Sequence, residues 1–383
     1  MKKIVLFTVI IGVVAASCTE QKRKNIDSQT LRLDSLFNHE HISGRFDGTV
    51  VIGKKGVILY EKAIGISNRV WNIPMRLDHR FDICSINKSF VATLILIAVE
   101  EGRLSLDDRL VDHLEVFSYS GKFNPDITIH QMLTHTSGLP DYGQTQPDLS
   151  ENLFRMFKRK HFTNAEYVDF ISNVQAVNDP GVQFYYSNFA YHLLIILLEG
   201  LYQLPFPELL DQKLCKPLGL LHTFSTVSNG EVFEKMVEGY NYEETTDSWK
   251  RNQFIDLTLG RRIFSTAHDL YLWGLAMDSP SILSVESARL MHANHLKDIT
   301  YEFSYGYGWV VFDGKRPYRM GDLGIDRKYI IHGGATEGFK SMLINIENGE
   351  YIVAFLANTG DQTNEMELAK KIANILINSE NEN

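Results

Sequence analysis

Ser85-Ile86-Asn87-Lys88 is the only place in this 383-residue chain where a lysine follows a serine by three positions. On a helix that spacing sets the amine beside the hydroxyl, and an amine so placed can help a serine oxygen attack a carbonyl carbon. If the helix begins near Ser85, its unpaired N–H groups and the positive end of its dipole also favour negative charge on that oxygen. Taken alone, the same residues are better read as an N-cap serine and a surface lysine, since a chain of this length yields about one such spacing by chance.

Two further motifs carry suitable groups. Tyr186-Ser187-Asn188 follows Asp179-Pro180-Gly181 and precedes an apolar stretch. A phenol can pass protons and an Asn amide can orient a neighbour or a substrate; the alternative is a core tyrosine followed by helix-capping Ser187 and Asn188. His332-Gly333-Gly334 follows Tyr329-Ile330-Ile331, and glycines on an edge strand allow close approach of a substrate backbone. By itself His332 reads better as a satisfied surface histidine than as a functional one.

The elements that must hold these motifs come from both chain ends. Leu31, Leu33, Leu36 and Phe37 suggest a first helix, and Thr49–Ile52 and Val57–Tyr60 are β-rich runs around the turn Gly53-Lys54-Lys55-Gly56. Lys340–Ile346 and Tyr351–Ala357 flank Glu347-Asn348-Gly349-Glu350, and a last helix is expected over Asn364–Asn378. Helical patterns fill the middle, at Lys88–Glu101, Ala165–Asn173, Phe189–Leu201 and His268–Met277. The reading is one α+β domain over about 31–378, in which an antiparallel sheet of five or more strands (about 31–80 and 301–378) and terminal helices carry an inserted helical lobe (about 81–300). The cleft between the two lobes is the expected ligand site.

In the order Ser-Lys, Tyr-Asn, His-Gly, the motifs make the chain resemble the β-lactamase-related serine hydrolases, a family that includes class C β-lactamases, D-alanyl-D-alanine carboxypeptidases, D-aminopeptidases and esterases. The likeness spans about residues 45–360. It extends to Leu133-Thr134-His135-Thr136-Ser137-Gly138-Leu139, Pro217-Leu218-Gly219, Phe264-Ser265-Thr266-Ala267-His268-Asp269-Leu270, Tyr305-Gly306-Tyr307-Gly308-Trp309 and Gly338-Phe339. The resemblance implies a β-lactamase/transpeptidase-like fold and an acyl-enzyme at Ser85, with Lys88 and Tyr186 moving protons and the N–H groups of Ser85 and Ala335 as the oxyanion hole. It places Asn188, His332, Gly333 and Gly334 at the substrate, which would be a small ester or a D-amino-acid-containing peptide, and it implies no cofactor or metal. For Lys88 to be a neutral base near pH 7 its pKa must fall by about 3 units, about 4 kcal/mol; a Tyr186 anion needs a comparable shift. Both assignments stay open, as does a coupled pair.

The chain departs from the family pattern in three places. His332 stands where β-lactamases carry the lysine of a K-T-G strand, and a histidine mostly neutral at pH 7 is a poor anchor for a substrate carboxylate. That argues against efficient β-lactam turnover. Arg261, in Gly260-Arg261-Arg262, would bind an anionic substrate if its segment lined the cleft, and is a surface loop residue if not. Cys84 replaces the glycine common before the nucleophile. The alternatives to a hydrolase of esters or peptides are a slowly acylated penicillin-binding receptor or scaffold and a class C-like β-lactamase.

Composition narrows the remaining classes. With 44% hydrophobic residues the chain can bury a large core, and a formal net charge of −9 argues against a nucleic-acid partner. No G-x-S-x-G elbow and no H-E-x-x-H motif occurs. Lys2 and Lys3, the apolar run Ile4–Val14 and Ala15-Ala16-Ser17-Cys18 read as an export signal over residues 1–18 of the lipoprotein type, too short to span a bilayer. Cys18 is then the lipidation site, residues 19–30 a tether, and the mature protein is held on a bacterial envelope membrane, facing the periplasm or cell surface. The alternative is an ordinary cleavage site. Cys84 and Cys215 are too few for a disulfide framework.

Overall fold

The computed structural model describes residues 28–114, 121–142, 162–228, 230–251, 260–314, 320–336 and 338–381. Its main sheet comprises β1 (Gly48–Lys54), β2 (Val57–Ile64), β3 (Val310–Phe312), β4 (Tyr329–Thr336), β5 (Phe339–Ile346) and β6 (Tyr351–Ala357). The six strands lie in the order β3-β4-β5-β6-β1-β2 with every neighbour antiparallel, as expected for a sheet of five or more. The β1–β6 pairing, Gly48 opposite Ala357 through Lys54 opposite Tyr351, joins the two chain ends.

The middle strands are apolar on both faces because both faces are covered. Along β6, Tyr351, Val353, Phe355 and Ala357 enter one core while Ile352, Ala354 and Leu356 enter the other, the alternation a pleated strand imposes. One face packs on helix α1 (28–42) through Leu33 and Phe37 and on the terminal helix through Leu368, Ile372 and Leu376. The other packs on the helical lobe, whose elements used below are α2 (Asn87–Glu100), α3 (Asn164–Ser172), α4 (Asn188–Tyr202) and α5 (Ala267–Ala276); the terminal helix is α6 (Glu365–Asn381).

The first hairpin differs from its expected turn. Lys55 and Gly56 both have positive φ, 50° and 79°, and Lys54 pairs with Val57, so the turn has two residues with the handedness that suits twisted strands. Gly53 lies inside the strand, beside a register shift. A side chain there would collide with the Tyr271 ring, which explains a glycine without a turn.

Helix α2 is central to the lobe. Phe90 stacks on Trp273 of α5, centroids 4.0 Å apart and planes 11° apart, and Trp273 Nε1 donates to Ser89 Oγ at 2.9 Å. Each such buried ring contributes about 1.5 to 3 kcal/mol. Gly102, at φ 68°, turns the chain away after the helix. Helix α4 is buried from Phe189 through Glu199, which accounts for a nearly all-apolar sequence.

Candidate active site

Ser85 lies in a single 3-10 turn, Cys84–Ile86, that runs into α2 at Asn87. A short antiparallel sheet delivers it there: Phe81–Asp82 pairs with Ile263–Ser265, which pairs with Phe224–Ser225. Cys84 adopts φ 53°, and its N–H donates to Asp82 Oδ1 at 2.7 Å. Asp82 is in turn held by Arg262. Burial raises the Cys84 thiol well above its usual range, so this sulfur acts as packing rather than as a nucleophile.

Across the turn lies β4. Strand β3 pairs only with Tyr329, Ile330 and Ile331, so from His332 onward the outer edge of β4 has no strand partner among the described residues and borders the cleft. A Cβ on Gly334 would stand 2.6 Å from Cys84 Cβ and 2.8 Å from the Ser85 nitrogen. Glycine at this position is thus what lets the strand abut the nucleophile turn. The cleft has a volume of about 460 Å³ and is bordered by Ser85, Tyr186, Asn188, His332 and Ala335, with apolar walls that include Val310 and Ile331.

Lys88 is buried. Its Nζ donates to Asn188 Oδ1 at 2.7 Å and, at 3.4 Å, to Ser85 Oγ, and it stands 4.8 Å from the centre of the Tyr186 ring. Asn188 opens α4, where Ser187 caps the helix by accepting from the Ala190 N–H at 3.1 Å. The Asn188 side chain turns into the site instead: Nδ2 donates to Asp141 Oδ2 at 3.2 Å and the backbone N–H to Asp141 Oδ1 at 3.0 Å. This fixes the amide orientation, oxygen to the lysine and nitrogen to the carboxylate. Burial raises the Asp141 carboxyl above its usual range, against the opposing pull of these donors and of Lys88.

His332 is buried, and its Nδ1 donates to the Gly333 carbonyl at 2.6 Å, so Nε2 accepts from the Tyr305 hydroxyl at 3.1 Å. Burial, reinforced by the nearby Lys88 charge, pushes its pKa down to about 3. The ring is neutral at physiological pH and offers a substrate carboxylate no charge.

The structure thus brings Ser85, Lys88, Tyr186, Asn188, His332, Gly333, Gly334 and Ala335 to one cleft. Arg261 is elsewhere. Its guanidinium is bound to Glu199 at 3.2 Å and to Asn164 Oδ1 at 3.1 Å, and both ionic side chains are largely buried. It ties the starting residue of α3 to α4, which corrects the expectation of either a substrate-binding or a surface arginine. Asp141, His135 and Tyr305 join the site without having been anticipated as site residues. His135 and Tyr305 lay inside matched motifs, whereas Asp141 follows Gly138-Leu139-Pro140 with no spacing to tie it to Asn188. Cys18 and the expected leader lie outside the described residues. Among the described residues no group of histidine, cysteine or carboxylate side chains could hold a metal ion.

Such a site can activate a serine hydroxyl beside a buried amine, next to an open strand edge where an extended acyl substrate can lie. Comparison with known proteins agrees. A family model described as Beta-lactamase matches residues 33–376. Penicillin-binding protein 4* of Bacillus subtilis (strain 168) is 23% identical over 360 residues, covering 90% of this chain and 75% of that protein. The penicillin binding protein from Bacillus halodurans superposes with a TM-score of 0.74 at 24% identity, over 89% of this chain and 99% of the other. The D-amino acid amidase from Ochrobactrum anthropi SV3 gives 0.71 at 20% identity, over 92% and 99%. At these identities the structural likeness shows the β-lactamase/transpeptidase-like fold.

Proposed function

The chain belongs to the β-lactamase family of serine hydrolases, and from that premise we propose that it cleaves esters or D-amino-acid-containing peptides through an acyl-enzyme on Ser85. The observation that carries this reading is the buried Lys88 amine, 3.4 Å from Ser85 Oγ and held by Asn188. Ser85 Oγ bonds to the substrate carbonyl carbon, and its proton passes to the Lys88–Tyr186 pair. The carbonyl oxygen, now anionic, is met by the N–H groups of Ser85 and Ala335, donors of a kind worth about 3 to 4 kcal/mol each. The leaving alcohol or amine departs with the proton, and water then repeats the sequence to release the acid and restore Ser85. The contact between β4 and the Ser85 turn supports this pair of donors. The D-amino acid amidase of similar fold supports the amide branch.

The neutral His332 supports esters and amides without a carboxylate beside the scissile bond over β-lactams and C-terminal D-alanine peptides. The test is turnover of a chromogenic ester and a chromogenic cephalosporin by wild type and Ser85→Ala. Ser85-dependent ester turnover with little cephalosporin hydrolysis is the expected result; a stoichiometric burst that stalls would replace the hydrolase with an acylated receptor. The leader pattern at residues 1–18 supports export and lipidation at Cys18. Recovery of the full-length protein from the soluble fraction of its host, unaltered by Cys18→Ala, would refute that part.

A further inference from the structure

His135 is a buried group of the site that this chemistry leaves unused. It has no solvent exposure and adopts φ 57°, a left-handed backbone uncommon outside glycine. Its carbonyl accepts the Tyr185 N–H at 2.8 Å, and its Nδ1 accepts the Ser187 N–H at 3.1 Å. These two bonds bracket Tyr186 in the chain. The imidazole also lies against the Tyr186 ring itself, centroids 4.3 Å apart and planes tilted by 30°.

Because Nδ1 accepts, the ring proton is on Nε2. That N–H has no hydrogen-bond partner among the described residues. It sits instead in a cage of rings, with Tyr305 at 5.0 Å, Tyr191 at 5.1 Å and Phe184 at 5.9 Å between centroids. Aromatic faces make weak acceptors for N–H groups. Burial, then the Lys88 charge, holds the imidazole pKa well below its ordinary value, so the ring stays neutral. A strained backbone retained next to reacting groups points to a positioning task.

We propose that His135 is a positioning residue for Tyr186, gripping the backbone on either side of the tyrosine and one face of its ring so that the phenol is held over the Ser85–Lys88 pair. This inference rests on Tyr186 carrying protons in the reaction proposed above.

The test compares wild type, His135→Asn, Tyr186→Phe and the double variant. Asparagine tolerates the left-handed backbone and keeps an acceptor for the Ser187 N–H, but it removes the ring. With a chromogenic ester, His135→Asn is expected to lower kcat about 10- to 100-fold, the scale of a displaced reacting group, with KM changed by less than about two-fold. The double variant should be no slower than Tyr186→Phe alone. Full kcat in His135→Asn, or losses that multiply in the double variant, would overturn the role. Should His135→Asn not fold, nitrogen NMR of histidine-labelled wild type decides: a neutral Nε2–H ring across about pH 6 to 8 is expected, and an Nδ1–H or charged ring overturns the proposal. If wild type shows no Ser85-dependent turnover the proposed function fails instead, a result distinct from active wild type with unaffected His135 variants.

Discussion

Gly334→Ala tests the contact on which the whole site depends. The new methyl carbon would press on Ser341 Oγ of β5, whose hydroxyl donates to the Ile83 carbonyl, and would stand 2.6 Å from Cys84 Cβ and 2.8 Å from the Ser85 nitrogen, against about 3.5 to 4.0 Å for carbon atoms in ordinary contact, so about 1 Å must be made up by movement. The nucleophile turn cannot easily yield, because the Cys84 N–H is tied to Asp82 and Asp82 to Arg262. Strand β4 must therefore back away and take the Ala335 N–H with it. Misplacement by about 1 Å costs about 100-fold in rate, about 2.7 kcal/mol of barrier, close to the loss of one oxyanion donor. Overpacking should also lower stability by about 1 to 3 kcal/mol. The control is Gly333→Ala, whose methyl would have as its nearest neighbours the flexible end of Met342, Cε at 3.2 Å and Sδ at 3.8 Å, and Glu365 Cγ at 3.8 Å. Measured as kcat/KM on a chromogenic ester, below the melting temperature of each variant, Gly334→Ala should fall about 100-fold and Gly333→Ala less than about five-fold. Equal losses in the two, or full activity in Gly334→Ala, would refute the argument that this close approach sets the oxyanion geometry.

Three other outcomes are expected. If Lys88 and Tyr186 form one proton-handling unit, the Lys88→Ala, Tyr186→Phe double variant is hardly slower than either single variant; additive losses would separate them. Arg261→Ala leaves the buried Glu199 carboxylate without its cation, though still accepting from Asn164 Nδ2 and the Phe206 N–H, and should cost about 3 kcal/mol of stability, read by denaturant unfolding, with equal effects on acidic and neutral substrates; a loss confined to acidic substrates would return Arg261 to the site. Burial lowers His332 and His192 to about 3 and His292 to about 4, so the unfolded chain binds more protons than the folded one between those values and about 6.5. Stability contributed by keeping these rings neutral is full above pH 6.5 and is lost as the pH falls, by up to about 1.4 kcal/mol per pH unit for each ring, and unfolding midpoints that stay flat from about pH 7 to 5 would contradict it.

Much of this was legible in the chain because the informative patterns are local. Ser85 and Lys88 share a turn and a helix, and the strand runs 340–346 and 351–357 reappear nearly residue for residue, since paired apolar strands around a polar turn leave few alternatives. The residues that were missed arrive from a distance. Asp141 reaches Asn188 across 47 positions and His135 reaches Ser187 across 52. Nothing in spacing or composition announces such pairs. Arg261 failed for a related reason: its carboxylate partner Glu199 sits within an apolar helix, where sequence reads only the helix. Gly53 reads as a turn glycine in the sequence because the approach of Tyr271, more than 200 residues later in the chain, leaves the same signature.

The central claim is a covalent bond at Ser85, and the most direct measurement is the intact mass of the protein after brief mixing with an activated ester, acid-quenched and followed by peptide mapping. The account predicts one acyl group on the peptide containing Ser85 in wild type and none in Ser85→Ala. Ester turnover without any adduct, or an adduct on another residue that survives Ser85→Ala, would contradict it.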